Sequence, residues 1–406
     1  MVYIVYIVVF SQGNLSLNNI FFVPDNGKQN CPYSCSFILM AKVTFVKNTA
    51  FYADLKKGVD NYFAERGIKK TGNLALYTKT VVLSITALVL YLVLLLSDLH
   101  AVAGILLSGL LGFTLASIGF NVMHDACHGS YSSRKWVNDL LGLTLNMLGG
   151  NAFIWKFKHN IIHHTYTNVD GLDDDIAKSP VMRQCATQKW APAHRFQHIY
   201  VILVYALSSF LWVFMMDFAK YFTQRVFVTP LQRMSRKEHA IFWLSKVLYL
   251  VFYIFIPVYF VGWQAWAIGF ASMHVALGFT LAIIFQLAHV VEHAEFESAG
   301  IEPKLIENEW AVHQVKTTCN FAPRHQLISW FVGGLNYQIE HHLFARISHI
   351  HYPHISGIVR ETCEKHDLPY NSFPTMSEAI ASHFRMMKAL GRKPEAYAAL
   401  PLPANQ

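Results

Sequence analysis

Residues 247–288 read VLYLVFYIFIPVYFVGWQAWAIGFASMHVALGFTLAIIFQLA, 42 residues without a Lys, Arg, Asp or Glu. About 20 helical residues cross about 30 Å of hydrocarbon, so this stretch is long enough to cross twice. Gly262-Trp263-Gln264-Ala265-Trp266 suits the turn between crossings, and its two tryptophans suit the membrane–water interface. A similar pair lies upstream. Residues 80–97 and 102–123 are uncharged apolar runs separated only by Asp98-Leu99-His100-Ala101. The expected fold is an all-α integral membrane protein with four transmembrane helices in two hairpins, at about 80–97, 102–123, 247–262 and 267–288.

The composition agrees. Apolar residues make up 53% of the 406 and charged residues 14%, against about 45–50% and about 25% in a soluble domain. That excludes a disordered chain and argues against a soluble globule. Six cysteines make no disulfide framework at this length. The net charge is +8, yet none of the 33 Lys and Arg falls in these four spans or in their external turns. All lie on one face, which is the cytosolic one by the positive-inside rule. Both termini share that face. The charge is then a membrane-side property and calls for no nucleic acid.

Residues 199–216 are also long enough to cross. A crossing there would separate His289 from His124 and His164 and would put Lys220, Arg225, Arg233, Arg236 and Lys237 outside. We expect an interfacial or protein-packed helix instead, and another over 140–155. Residues 1–39 stand apart. Their first ten are apolar but too short to span and have no positive n-region. Cys31 and Cys35 have no histidine partner nearby. We expect a non-catalytic extension over 1–39 with the natural start at Met40, then a cytosolic segment 40–79, a histidine-bearing membrane domain 80–358, and a cytosolic segment 359–406.

The 21 histidines are the anomaly. Four groups sit just outside spans or on cytosolic loops: His124-Asp125-Ala126-Cys127-His128, His159-Asn160-Ile161-Ile162-His163-His164, His289-Val290-Val291-Glu292-His293, and Gln338-Ile339-Glu340-His341-His342. Residues four apart share a helix face, so His124/His128, His159/His163 and His289/His293 each aim two rings one way. One such pair alone is more often a surface feature than a ligand set. Four groups on one predicted face point to metal, for which imidazole is a common ligand. Eight or nine histidines with the Gln338 amide exceed what one ion takes and suit two. Asp125, Glu292 and Glu340 are expected to orient the rings from behind. His274 lies mid-span and is expected to be packed and hydrogen-bonded. Asp170, Asp173, Asp174 and Asp175 read either as a solvated capping loop or as partners of the rings or of a headgroup. Cys127 points off the His124/His128 face and reads as packing.

From about Phe63 to about Ile358 the chain resembles the membrane fatty acid desaturase family. HDACH, HNIIHH and QIEHH carry the resemblance, in this order and at these separations around two hairpins. Gly119-Phe120-Asn121-Val122-Met123, Thr165-Tyr166-Thr167-Asn168, Asn336-Tyr337 and Leu343-Phe344 extend it. Gln338 heading the third box resembles the front-end subgroup, which adds a double bond between an existing one and the carboxyl end. The HxxxHH box resembles the form in bacterial-type acyl desaturases. The resemblance implies a di-iron site held by His124, His128, His159, His163, His164, His289, His341 and His342, with Gln338 as a ninth ligand. It implies a fatty acyl substrate, carried as acyl-CoA or in a lipid, and O2-dependent removal of two hydrogens. Many front-end members carry a fused cytochrome b5 domain marked by HPGG. That motif is not in this sequence, so the expected donor is a separate protein, cytochrome b5 or ferredoxin, with its reductase. Hydroxylation by the same irons is the alternative chemistry. A haem electron-transfer protein would need facing mid-span histidines, and a transporter several ionisable residues within the spans; between residues 247 and 288 only His274 qualifies.

Overall fold

The protein is described by a computed structural model covering residues 43–47, 50–177, 180–300 and 302–394. The expected extension over 1–39, with Cys31 and Cys35, and the tail after Pro394 lie outside the described residues. Among those described, four helices are long and apolar enough to cross a membrane: Leu74–Leu96, Ala101–His128, Pro192–Thr223 and Arg236–His289. The last is two legs joined at Gly262, whose φ of +79° breaks the helix. Glycine adopts that left-handed conformation without a Cβ penalty. The legs fold back on each other. The Tyr249 hydroxyl meets His274 Nε2 at 2.8 Å, and Trp266 Nε1 donates to the Tyr253 carbonyl at 2.8 Å. The expected second hairpin is present, and His274 is the packed, hydrogen-bonded residue expected of it.

The first hairpin, Leu74–Leu96 with Ala101–Ile118, turns at Ser97 and is capped by the His100 side chain. Its second helix presses against the leg that ends at His289. The closest approach is at Gly112, where a Cβ would stand 2.1 Å from the Met273 carbonyl oxygen. Only a residue without a side chain allows that contact.

The helices start earlier than the uncharged runs. Lys79 and Lys246 lie inside them, both buried. Each lysine is tolerated because the fold supplies a partner. Lys246 Nζ lies 3.1 Å from Asp217 and donates to the Gly149 and Val213 carbonyls at 2.5 and 3.1 Å. Lys79 Nζ lies 3.1 Å from His349 Nε2 and 5.5 Å from the centre of the Trp330 ring.

The Pro192–Thr223 helix packs on the second leg of the later hairpin. Ser209 Oγ bonds the ring and carbonyl of His274, and Ser208 Oγ donates to the Gly278 carbonyl. Both ends and the middle of this helix are fastened beyond the hairpin, and near the first end Gln197 Nε2 donates to the Met387 carbonyl at 2.7 Å. The Tyr205 hydroxyl meets His383, whose other nitrogen donates to the Val290 carbonyl, and Lys220 pairs with Asp174 at 2.7 Å.

Shorter helices and three parallel two-stranded pairs gather beyond the hairpin ends. The pairs are Val43–Val46 with Lys304–Glu309, Val169–Asp170 with Glu297–Ser298, and Asn320–Phe321 with Ser372–Phe373. The main core runs from the hairpins into this cap through Leu115, Leu277, Leu287, Val290 and Met387. Leu287 and Met387 are fully buried, each contributing about 1.5–3 kcal/mol relative to an exposed side chain.

Candidate metal centre

The ends of the spans deliver the first candidate ligands. Ala101–Ile118 passes through a π-helical turn, Gly119–Met123, directly into the helix His124–His128. His289 is the last residue of its helix, before Val290 leaves helical geometry at φ −115°, ψ 68°. The other candidates come from cap segments. Asn151 caps the short helix Ala152–Lys156 by accepting from Ile154 N, and the chain then widens into a π-helical turn over Phe157–His163. Gln338–Leu343 is a single short helix carrying the last pair.

All eight candidate histidines converge. One group is His124, His128, His159 and His341; a second is His163, His289 and His342; His164 joins His341 and His342 between them. Within each group the ligand nitrogens lie within 4.8 Å of one another. His159 Nε2 lies 3.3 Å from both His124 Nε2 and His164 Nε2. The Nε2 atoms of His128, His163, His289, His341 and His342 are inaccessible and have no hydrogen-bond partner. Unpaired buried polar atoms are costly. Here they point at one another in two adjacent sets, and a cation between them would satisfy each. Burial first, and neighbouring imidazoles second, hold His159, His164, His341 and His342 well below the ordinary histidine range. They are neutral at pH 7, the form that binds metal.

The grouping differs from the simple helical expectation. His124 and His128 do share a group, but among the all-histidine groups His159 and His163 fall in different ones; the set that joins those two does so with Asp175. The π-helical turn is the reason: its longer hydrogen bonds, such as His164 N to the His159 carbonyl, bring His164 beside His159 as well. His293 is not brought in. The helix ends at His289, so the four-residue spacing has no helix behind it; His293 is exposed and its ring meets Phe373.

The expected orienting carboxylates lie elsewhere than behind the rings. Glu292 forms a two-pronged pair with Arg385 at the surface, which holds it below the usual carboxylate range. Glu340 is buried and accepts from Asn320 and the Tyr370 hydroxyl; burial pushes it up. Asp125 accepts from Ser348 Oγ at 2.6 Å and faces His349. Gln338 is buried at the head of the third-box helix.

Other groups hold the ligand rings. Asp173 Oδ2 accepts from His163 Nδ1 at 3.0 Å. Gln314 Oε1 accepts from His342 Nδ1 at 2.9 Å, beside Thr167 Oγ1. The Tyr352 hydroxyl lies 3.2 Å from His341 Nδ1. These are the back-side bonds that fix a ligand's tautomer and angle. Asp173 belongs to the acidic knot, which divides its work: Asp174 meets Lys220, Asp175 meets Lys158, and Asp170 accepts from Thr187 and Gln188. Thr167 lies in the motif after the second box. Nothing in the sequence around Gln314 or Tyr352 marks them, because their partners are distant in the chain. The Asn168 amide reaches the carbonyls of His289, Glu295 and Thr317, tying the second box to the end of the last span. Cys127 is packed against Met123, Leu145 and Ala152, as expected.

Comparison with known proteins gives the same reading. A model of the fatty acid desaturase family matches residues 97–374. The chain is 33% identical over 357 residues to an sn-1 linoleoyl-lipid 6-desaturase of Synechocystis sp., covering 86% of this chain and 98% of that protein. It is 34% identical to an acyl-lipid (8-3)-desaturase of Physcomitrium patens over 85% of this chain and 72% of that one. A Mortierella alpina acyl-lipid (8-3)-desaturase is 30% identical over 86% and 80%. A chain with this match and with its histidines drawn into two adjacent buried groups belongs to the fatty acid desaturase family, and is an oxidoreductase.

Proposed function

We propose that the enzyme is a front-end acyl-lipid desaturase using two irons. The observation that carries this reading is the pair of histidine groups with inward-facing, unsatisfied Nε2 atoms. His124, His128, His159 and His341 would hold one iron, and His163, His289 and His342 the other. His164 lies between them, and Gln338, buried at the head of the third-box helix, would offer a further oxygen. Imidazole with oxygen donors suits iron. Iron bound there supplies, with O2 and two electrons, the oxidising power to take two hydrogens from an unactivated methylene pair. The chain does the rest. Asp173, Gln314 and Tyr352 hold three rings in register. The near-complete burial of the ligands keeps bulk water from them. The name of the Synechocystis relative supports a lipid-linked acyl substrate over acyl-CoA. Gln338 at the head of the third box supports the front-end position. The electrons come from a separate carrier, cytochrome b5 or ferredoxin, and its reductase.

The domain and topology reading goes with it: four crossings, with the cap, both termini and the metal centre in the cytosol. The Pro192–Thr223 helix is then packed in from the cytosolic side. Its contacts support this, since Gln197 and Lys220, toward its two ends, are both fastened to cap residues. A cysteine placed at Gln264 should be labelled only from outside an intact cell, and labelling from the cytosol alone would reverse the topology.

The activity test is expression in a host rich in polyunsaturated lipids. Double-bond positions are read by derivatisation and mass spectrometry, beside a His341→Ala control. The expected product has a new double bond on the carboxyl side of an existing one, absent in the control. A hydroxylated product would move the chemistry to oxygen insertion. A purified protein without iron would undo the metal assignment.

A further inference from the structure

The helix Trp310–Thr317 supplies no member of the histidine groups, yet one of its faces runs along the end of the second box. Residues 310, 313, 314 and 317 share that face. Trp310 Nε1 donates to the His164 carbonyl at 2.9 Å, and His313 Nε2 donates to the Thr167 carbonyl at 2.8 Å. Gln314 Oε1 meets Thr167 Oγ1 at 2.8 Å as well as the His342 ring, and the Thr317 carbonyl accepts from Asn168. Residues 164–168 form turns rather than a helix, so their carbonyls take side-chain donors. The opposite face, Ala311, Val312 and Val315, is buried with Phe51 and Leu55 of the N-terminal helix Ala50–Arg66 and with Ile339 and Leu343 of the third-box helix. The polar side of this amphipathic helix therefore grips backbone where a surface helix would meet water.

The N-terminal segment holds the same helix from behind. Val43–Val46 pairs in parallel with Lys304–Glu309, the strand that runs straight into it. Val43 and Ile306 pack with Val169 and Leu172, just past the second box. The Phe45 ring stands 5.2 Å from the His313 ring, and the Tyr52 ring stands edge-on to Trp310 at 5.9 Å. Each side chain that donates to a carbonyl after the box thus has an N-terminal aromatic against it. Glu309, at the N-cap of Trp310–Thr317, makes no side-chain cap to that helix, and its carboxylate accepts from Tyr52 N at 3.1 Å. There it satisfies a free N–H in the first turn of Ala50–Arg66 and faces the positive end of that helix.

We propose that Phe45 and Tyr52 are positioning residues that act through His313 and Trp310 to set how firmly the centre holds its metal, a reading that rests on the two-metal centre above. Neither supplies a ligand. A ligand ring keeps its angle only while its supports are fixed, and the supports of the second box are the donors on Trp310–Thr317. Without the aromatic behind it, each donor can turn away from its carbonyl, and the box backbone loosens.

Cobalt(II) is the probe, because imidazole binds it and its visible spectrum reports ligand geometry. Wild type, Phe45→Ala, His313→Leu and the double variant are loaded with cobalt. The ion kept per chain is read after timed exposure to chelator, at a temperature where the metal-free proteins stay folded. Phe45→Ala is expected to lose cobalt about tenfold faster and to shift the visible bands. In the His313→Leu background the same change should add little, because it acts through that ring. Tyr52→Ala should behave likewise against Trp310→Phe, which lacks the N–H, while Tyr52→Phe keeps the ring and should match wild type. Additive losses in the double variants, or unchanged retention in Phe45→Ala and Tyr52→Ala, overturn the proposal. A lower melting temperature of metal-free protein with unchanged retention does so too, since it leaves the N-terminal segment a part of the fold only. A wild type that holds cobalt and shows the coupling but, loaded with iron, forms no alkene would sink the desaturase reading alone.

Discussion

Gln314 belongs to no histidine motif, yet its carbonyl oxygen holds the His342 ring at 2.9 Å. Gln314→Leu should lower metal retention about 10–100-fold, the usual loss for a partner behind a ligand. Glu292→Gln should leave it unchanged, because that carboxylate pairs with Arg385 at the surface and exposed pairs contribute about 0–1 kcal/mol. Iron per chain after dialysis against chelator separates the two; equal losses would remove Gln314 from its orienting role. A second residue carries a pH effect. His383 is buried between the Tyr205 hydroxyl and the Val290 carbonyl, and burial holds it down at about 4. Unfolded, it titrates near 6.5. The unfolded chain therefore takes the proton first as pH falls. The stability tied to the neutral ring is complete above about pH 6.5 and lost progressively down to about pH 4, on the order of 3 kcal/mol. Thermal unfolding of metal-free protein at about pH 7.5 and about pH 5 should differ, and His383→Gln should narrow the gap. A gap of the same size in the variant would assign the acid sensitivity elsewhere.

At the scale of helices, the uncharged runs were readable and their ends were not. Hydropathy stops at the first charge, so it stopped at Lys79 and Lys246, while the helices run on through both. The partners that make this possible, His349 and Asp217, lie far away in sequence. The Lys246–Asp217 pair joins two helices beneath the surface. Lys246→Met would leave the buried Asp217 carboxylate with the Trp212 Nε1 bond but no cation, and should cost about 3–5 kcal/mol. Adding Asp217→Leu should recover most of that loss, since an apolar pair of similar volume is often as stable. Denaturant unfolding of both variants decides it, and a double variant no better than the single one would mean the charges serve another end. The π-helical turn over Phe157–His163 was equally hidden. Spacing alone predicts an α-helical face, and no residue in HNIIHH announces the wider turn that places His164 beside His159.

For the molecule as a whole, the histidine boxes were legible because a span end and a motif coincide at His124 and His289. Each of the eight histidines expected from them as ligands lies in one of the close buried groups. The division into two groups was not legible, since it depends on which way consecutive residues such as His341 and His342 turn. Nor were the supports, because Gln314, Tyr352 and Asp173 reach their rings across the fold. That division has a consequence for how the enzyme acquires metal. The second box supplies His159 to one group and His163 to the other, and the third supplies His341 and His342 likewise. A first ion must therefore fix backbone that the second ion also needs, and the ordering entropy is met once for both. Loading should be cooperative: native mass spectrometry at half-stoichiometric iron should find chains with none or two, and few with one. A cell short of iron would then hold a smaller number of complete enzymes rather than many half-built ones.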